Sequence, residues 1–150
     1  MPIARLHLPI LALLALAGCA IMPRPADPIF TALVESIRTD SATFFAGLSD
    51  KQAPDCALAA NTGAYDHLAM LAKNLKTRIY DDKSSPALVA ASDAMLRTID
   101  DARASHAAAS ANTGDSNGPC LAPGAIALNA DAIARASAAI AAALSATGGR

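Results

Sequence analysis

Tryptophan is absent from this chain of 150 residues, and the aromatic inventory stops at three phenylalanines and two tyrosines. All five (Phe30, Phe44, Phe45, Tyr65, Tyr80) fall within the first two expected helices, where they read as core rather than as a ligand cage. The alternation of β-branched and aromatic residues that marks strands is also missing, which excludes a sheet-based fold. Charge of one sign is lacking too. The formal net charge is −1 with no basic run, which argues against a nucleic-acid partner. No GxSxG elbow, HExxH pair, phosphate-binding glycine loop or CxxCH haem motif occurs, so no catalytic set, metal site or cofactor is expected. Cysteine is scarce, at three. Cys56 and Cys120 lie too far apart in sequence for a CxxC redox motif or a clustered zinc site.

What is present begins with an apolar run from Leu6, preceded by Arg5 and closed by Leu16-Ala17-Gly18-Cys19. At about a dozen residues the run is too short to cross a bilayer as a helix, which takes ~20. A short positive region, an apolar stretch and small residues before a cut form a secretory signal peptide. The final four residues resemble the lipobox of bacterial lipoproteins. That resemblance implies cleavage before Cys19, acylation of its thiol with a palmitate-type chain, and a mature protein hung from a membrane by its first residue. Ala20 stands where an aspartate would retain many such proteins at the inner membrane, so the resemblance favours the outer membrane, facing the periplasm.

The expected organisation is a signal peptide over 1–18, a lipidated tether over 19–26, a helical domain over 27–147 and a tail over 148–150. Arg5 is the one formally charged side chain that leaves with the leader, so the mature chain keeps 11 basic and 13 acidic side chains. Its 132 residues suffice for one domain with a real core. The tether, Ala20 to Ala26, carries Pro23 and Pro25 and reaches only ~20 Å at ~3.1 Å per residue. With Cys19 lipidated, two thiols remain in an oxidising compartment, where one bridge between Cys56 and Cys120 is expected.

Four helices are legible from periodicity and punctuation. Asp27 caps the first and Pro28 opens it; Phe30, Leu33, Val34, Ile37, Phe44, Phe45 and Leu48 form its apolar face. A second is expected from near Pro54, with Leu58, Asn61, Tyr65, Leu68, Ala72, Leu75 and Ile79 alternating steps of three and four. That seam runs through Gly63, which favours one helix over a turn. Ser85 and Pro86 start the third, whose seam is Leu88, Ser92, Met95, Ile99, Ala102, His106 and Ala109. The fourth begins around Pro123 and carries Ile126, Ala130, Ile133, Ser137, Ile140 and Leu144. Asp131 and Arg135 interrupt it and argue against a membrane span. Short connections between helices of this length favour antiparallel neighbours. The expected fold is therefore all-α, an up-down-up-down four-helix bundle, with an irregular orthogonal bundle as the alternative.

Two polar residues sit on the apolar seams. Counted along antiparallel helices, Asn61 and His106 fall in one layer, beside Tyr65 and the paired phenylalanines. Buried polar groups need partners, so Asn61 and His106 are expected within reach of each other. They serve either as a structural pair fixing register or as a small ligand site. The function expected from these features is non-enzymatic: a lipid-anchored periplasmic protein that binds another protein or supports the envelope. The alternative is a carrier or sensor of a small ligand at the Asn61/His106 layer.

Overall fold

The structure, a computed structural model, describes residues 27–81, 85–112 and 118–147. The expected leader and tether, Cys19 among them, and residues 82–84, 113–117 and 148–150 lie outside the described residues. Four helices follow in order: α1 (Pro28–Ser49), α2 (Leu58–Asp81), α3 (Pro86–Ala111) and α4 (Pro123–Thr147). No strand occurs among the described residues.

Local chemistry sets the helix starts. Pro28 and Pro86 occupy first-turn positions where a missing N–H costs nothing. The Asp27 carboxylate accepts from the Ile29 amide at 2.8 Å, and Ser85 Oγ accepts from the Leu88 amide at 3.3 Å. Asp50 and Asn112 close α1 and α3 with backbone N–H bonds to Leu48 and Ala109 carbonyls.

Each helix packs against two others. The neighbours are α1 with α2, α2 with α3, α3 with α4 and α4 with α1, and the backbones of the two diagonal pairs do not approach as closely. Two of these pairs are shown to be antiparallel by contacts spread along their length. Between α1 and α2, Asp40 meets His67, Phe44 meets Tyr65, and Lys51 just beyond α1 meets Asn61. Between α2 and α3, Lys76 meets Asp93, Arg103 meets Asp66, and Tyr65 meets His106. Such lengthwise pairing is bundle packing, not an orthogonal crossing.

The buried set reproduces the seams read from sequence. Phe30, Val34, Ile37, Phe45 and Leu48 of α1 face Tyr65, Leu68, Ala72, Leu75 and Ile79 of α2 and the α3 and α4 rows inside one core. Ser41 belongs to that core although its type gave no apolar signal. Ser41, Ser92 and Ser137 are all buried, and each hydroxyl donates to a carbonyl of its own helix (Arg38, Val89, Ile133). A buried hydroxyl satisfied within its own helix needs no partner across the interface.

Two expectations are corrected, the start of the second helix and the burial of Tyr80. The second helix begins at Leu58 rather than near Pro54, because residues 53–57 form turns closed by Cys56 N–H to Gln52 O and Ala57 N–H to Pro54 O. Tyr80 lies 52% exposed rather than in the core, and Phe44 is half-buried. Helix α2 does run unbroken through Gly63, and a Cβ there would meet nothing.

Among the described residues, α4 is the one helix long and apolar enough to cross a membrane by length and composition. Its apolar row is used inside the bundle, where Ile133, Ser137 and Ile140 are fully buried. Asp131 and Arg135 pair on its outer face.

Candidate functional site

The α1–α2 connection, Asp50 to Ala57, crosses one end of the bundle. Lys51, Gln52, Ala53, Pro54 and Asp55 are all exposed, with a cis bond between Ala53 and Pro54, whereas Cys56 is buried. A segment this short and polar would ordinarily be held at its two ends alone. Here its last three residues, 55–57, are also held from beneath, and Lys51 ties its start to the same anchor.

Three consecutive carbonyls carry the hold. Asn61, in the first turn of α2, donates its amide to Asp55 O at 2.8 Å and to Ala57 O at 2.7 Å. Between them, His106 Nε2 bonds Cys56 O at 2.8 Å. Lys51 returns from the segment to Asn61, its Nζ donating to Oδ1 at 2.8 Å. Covalently, the Cys56–Cys120 disulfide joins the segment to the one leading into α4, with Cα atoms 5.1 Å apart. Cys56 precedes α2 and Cys120 precedes α4, so the bridge spans a diagonal that the helices themselves do not. Gly118, at φ +58°, makes the left-handed turn that brings Cys120 across.

Ser110 ties the same end together from α3. Its Oγ accepts from the Leu58 amide at 2.9 Å, capping α2 from another helix, and donates to Pro119 O at 3.1 Å. One hydroxyl therefore satisfies the exposed start of α2 and the segment carrying Cys120.

Histidine chemistry fixes the protons in this layer. A carbonyl oxygen only accepts, so Nε2 of His106 carries the hydrogen. The neutral ring then offers Nδ1 as an acceptor, and the Tyr65 hydroxyl, 3.1 Å away, donates to it. Both side chains are fully buried. Burial holds the His106 pKa below its ordinary value, against the opposing pull of the Cys56 carbonyl. Burial likewise raises the Tyr65 phenol, slightly countered by Arg103. Neutral histidine and neutral tyrosine are thus the stable pair. Edge-to-face contacts from Phe44 and Phe45 onto Tyr65, at ring centroids 5.0 and 6.4 Å, close the layer from α1.

Of the residues singled out from sequence, Cys56 and Cys120 are joined as expected, and Asn61, Tyr65 and His106 occupy one end of the bundle. The hydrogen bond expected between Asn61 and His106 is not made. Each turns instead to the 55–57 carbonyls, and the side chain that meets His106 is Tyr65. Counting residues along two helices locates a layer to within a turn, and Tyr65 lies one turn beyond Asn61. Lys51 and Ser110 carried no signal in sequence, because the reach of Lys51 to the Asn61 side chain and of Ser110 to the Leu58 and Pro119 backbone depends on the path of the loops.

No group of three or more histidine, cysteine or acidic side chains placed to hold a metal occurs among the described residues. The arrangement does one thing chemically: it fixes both ends of an exposed polar segment, Lys51 to Asp55, on a rigid base. No protein-family model, curated protein or solved structure matches this chain.

Proposed function

We propose that the protein is a lipid-anchored component of the bacterial cell envelope that presents the 51–55 segment to a partner protein. Acylated Cys19 and the tether over 20–26 attach it to a membrane, by resemblance to the outer membrane on its periplasmic side. The bundle acts as the spacer. The carrying observation is the convergence of ties on the foot of the exposed segment: Asn61, His106 and the disulfide at residues 55–57, with Lys51 returning to Asn61. Burying so many polar groups for a loop with no role beyond linking two helices would be costly. Order imposed before binding lowers the entropy lost on association, which is the gain a recognition loop needs.

The antiparallel pairing of α1 and α2 supports this placement. The tether joins α1 at Asp27, and the 51–55 segment follows the other end of the helix, 22 residues on. At 1.5 Å per residue that is about 33 Å from the anchored end. The polar layer around Asn61 and His106 has its donors and acceptors bonded internally, so it serves the presenting role without a small ligand.

The test has two readouts in one strain. Labelling with a clickable fatty acid should mark the wild type and not the Cys19→Ser variant, which should leave the membrane fraction or persist as a precursor. A photo-reactive residue at position 53 should give one discrete protein adduct, lost when Cys56 and Cys120 are both serine. Equal labelling of Cys19→Ser would remove the anchor. Absence of any adduct from position 53, with the protein folded and abundant, would remove the presenting role.

A further inference from the structure

At the opposite end, the seam between α1 and α2 opens. The large aromatic side chains of these helices fill the interface near Tyr65, but between the start of α1 and the end of α2 a groove of about 760 Å³ remains. Ile29 and Leu33 form one wall, Asn74, Thr77 and Arg78 the other, and Asp27 stands at the mouth. Ile29 is 45% exposed, and Tyr80 on the adjoining turn of α2 is 52% exposed. These are two of the four large exposed apolar side chains in the described structure, and both sit at this end. Arg78 makes no ion pair or hydrogen bond among the described residues, in contrast to Arg38, Arg103 and Arg135, which are all paired.

We propose that this groove seats a phospholipid of the membrane to which the protein is anchored; this rests on acylation of Cys19. The chain leading back to Cys19 begins at Asp27, and seven intervening residues reach only ~20 Å. The groove mouth is therefore kept within ~20 Å of the bilayer surface, close enough to touch it when the bundle tilts. Its chemistry matches that position. An apolar wall offers the glycerol and first acyl carbons a dry surface, while Arg78 offers a fork to a phosphodiester. Asp27 supplies the opposite charge at the mouth, which suits a headgroup carrying both a phosphate and an ammonium rather than a purely anionic one. One of its oxygens caps Ile29, leaving the other for the ammonium. A contact of this size is too small to recruit a free protein. On a short tether the effective concentration is high, so the contact sets orientation instead. Seating the groove on the bilayer stands the bundle upright and turns the 51–55 segment away from the membrane.

Photo-crosslinking in cells tests the proposal on the full chain. A diazirine side chain replaces Ile29 or, as a control on an outer face away from the groove, Leu128, which is 63% exposed. Fatty-acid labelling at Cys19 and formation of the Cys56–Cys120 bridge are read in the same samples. The expected result is a phospholipid adduct at position 29, enriched for the phosphate-plus-ammonium headgroup over its share of the membrane, and little at 128. Arg78→Ala should lower the yield about two- to fivefold, the worth of one solvent-exposed pairing of guanidinium with phosphate. With Cys19 acylated and the bridge formed, no lipid adduct at 29, or equal yields at 29 and 128, would overturn the seat while leaving the anchor intact. An adduct without headgroup preference, or unaffected by Arg78→Ala, would overturn the assigned chemistry. Failure of acylation itself would overturn the anchor and, separately, the proposal built on it.

Discussion

Replacing His106 with leucine isolates the clamp beneath the 51–55 segment. From sequence alone, leucine at a buried seam position should be tolerated or mildly stabilising, provided Asn61 finds another partner. Asn61 does have other partners, yet the structure reverses the expectation for a different reason. His106 satisfies two buried groups at once: the Cys56 carbonyl through Nε2 and the Tyr65 hydroxyl through Nδ1. Leucine leaves both unpaired in a region closed to water. An unsatisfied buried polar group costs about 1–3 kcal/mol, so two cost about 2–6, and the added apolar surface offsets about 1 of that. A net loss of about 1–5 kcal/mol is substantial for a domain whose total stability is of order 5–15. Adding Tyr65→Phe removes one of the two orphans, so the double variant should recover about 1–2 kcal/mol relative to His106→Leu. Urea unfolding at pH 7 followed by far-ultraviolet circular dichroism is the suitable assay, since the chain has no tryptophan to report by fluorescence. A His106→Leu stability within about 0.5 kcal/mol of the parent would refute the reasoning, as would a double variant less stable than the single one.

The lowered His106 pKa means that the unfolded chain binds a proton more readily than the folded one. Stability contributed by this site should therefore be intact above the unfolded value near 6.5 and fall as pH drops below it, by at most about 1.4 kcal/mol per pH unit; comparing unfolding between pH 7.5 and 5 in wild type and His106→Leu checks whether that dependence disappears with the histidine. Opening the Cys56–Cys120 bridge releases a closed segment with a sequence separation of 64 and should cost about 4 kcal/mol in the chain-entropy model, measured as the loss of unfolding free energy in a double-serine variant. Ser110→Ala should cost about 1–2 kcal/mol and speed exchange of the Leu58 amide, which loses its cap; unchanged exchange there would count against the tie. Gly63→Ala should gain about 0.5–1 kcal/mol, because the added methyl meets nothing and the helix interior prefers it; a loss would show that the open space is occupied.

The helical seams were legible because burial in a bundle is written at steps of three and four. Leu68, Ala72, Leu75 and Ile79, or Ile133, Ser137 and Ile140, can be placed on the core face before any coordinates are seen. Caps were legible for the same kind of reason: Asp27-Pro28 and Ser85-Pro86 encode their own geometry in adjacent residues. The start of α2 was not, since Pro54 looks like a first-turn proline and only the path of residues 53–57 makes it part of a turn. Ser41 escaped notice because a hydroxyl satisfied within its own helix behaves as a small core residue. The polar layer was half legible. Residue type and position put Asn61 and His106 at the same end, but hydrogen bonds to backbone depend on where a loop runs, and no side-chain pattern records that. The groove beside Ile29 and Arg78 had no signature at all, because it arises from what the α1–α2 interface leaves unfilled.

The disulfide also divides the chain mechanically. Cys56 and Cys120 bracket α2 and α3, so these two helices lie within a covalent loop, while α1 and α4 are arms outside it. A pull on the chain ahead of Asp27 is delivered first to α1, which side-chain packing and the Asp50–Ala57 connection hold to the loop. Under such a pull α1 should peel away from α2 and α4, exposing Phe45 and Tyr65, while the cross-linked α2–α3 pair stays closed at the Cys56 end. Extension would then stop early, at the reach of a peeled α1, instead of running on through residues 57–119. Tension would thus meet a protein that yields at one helix and then resists.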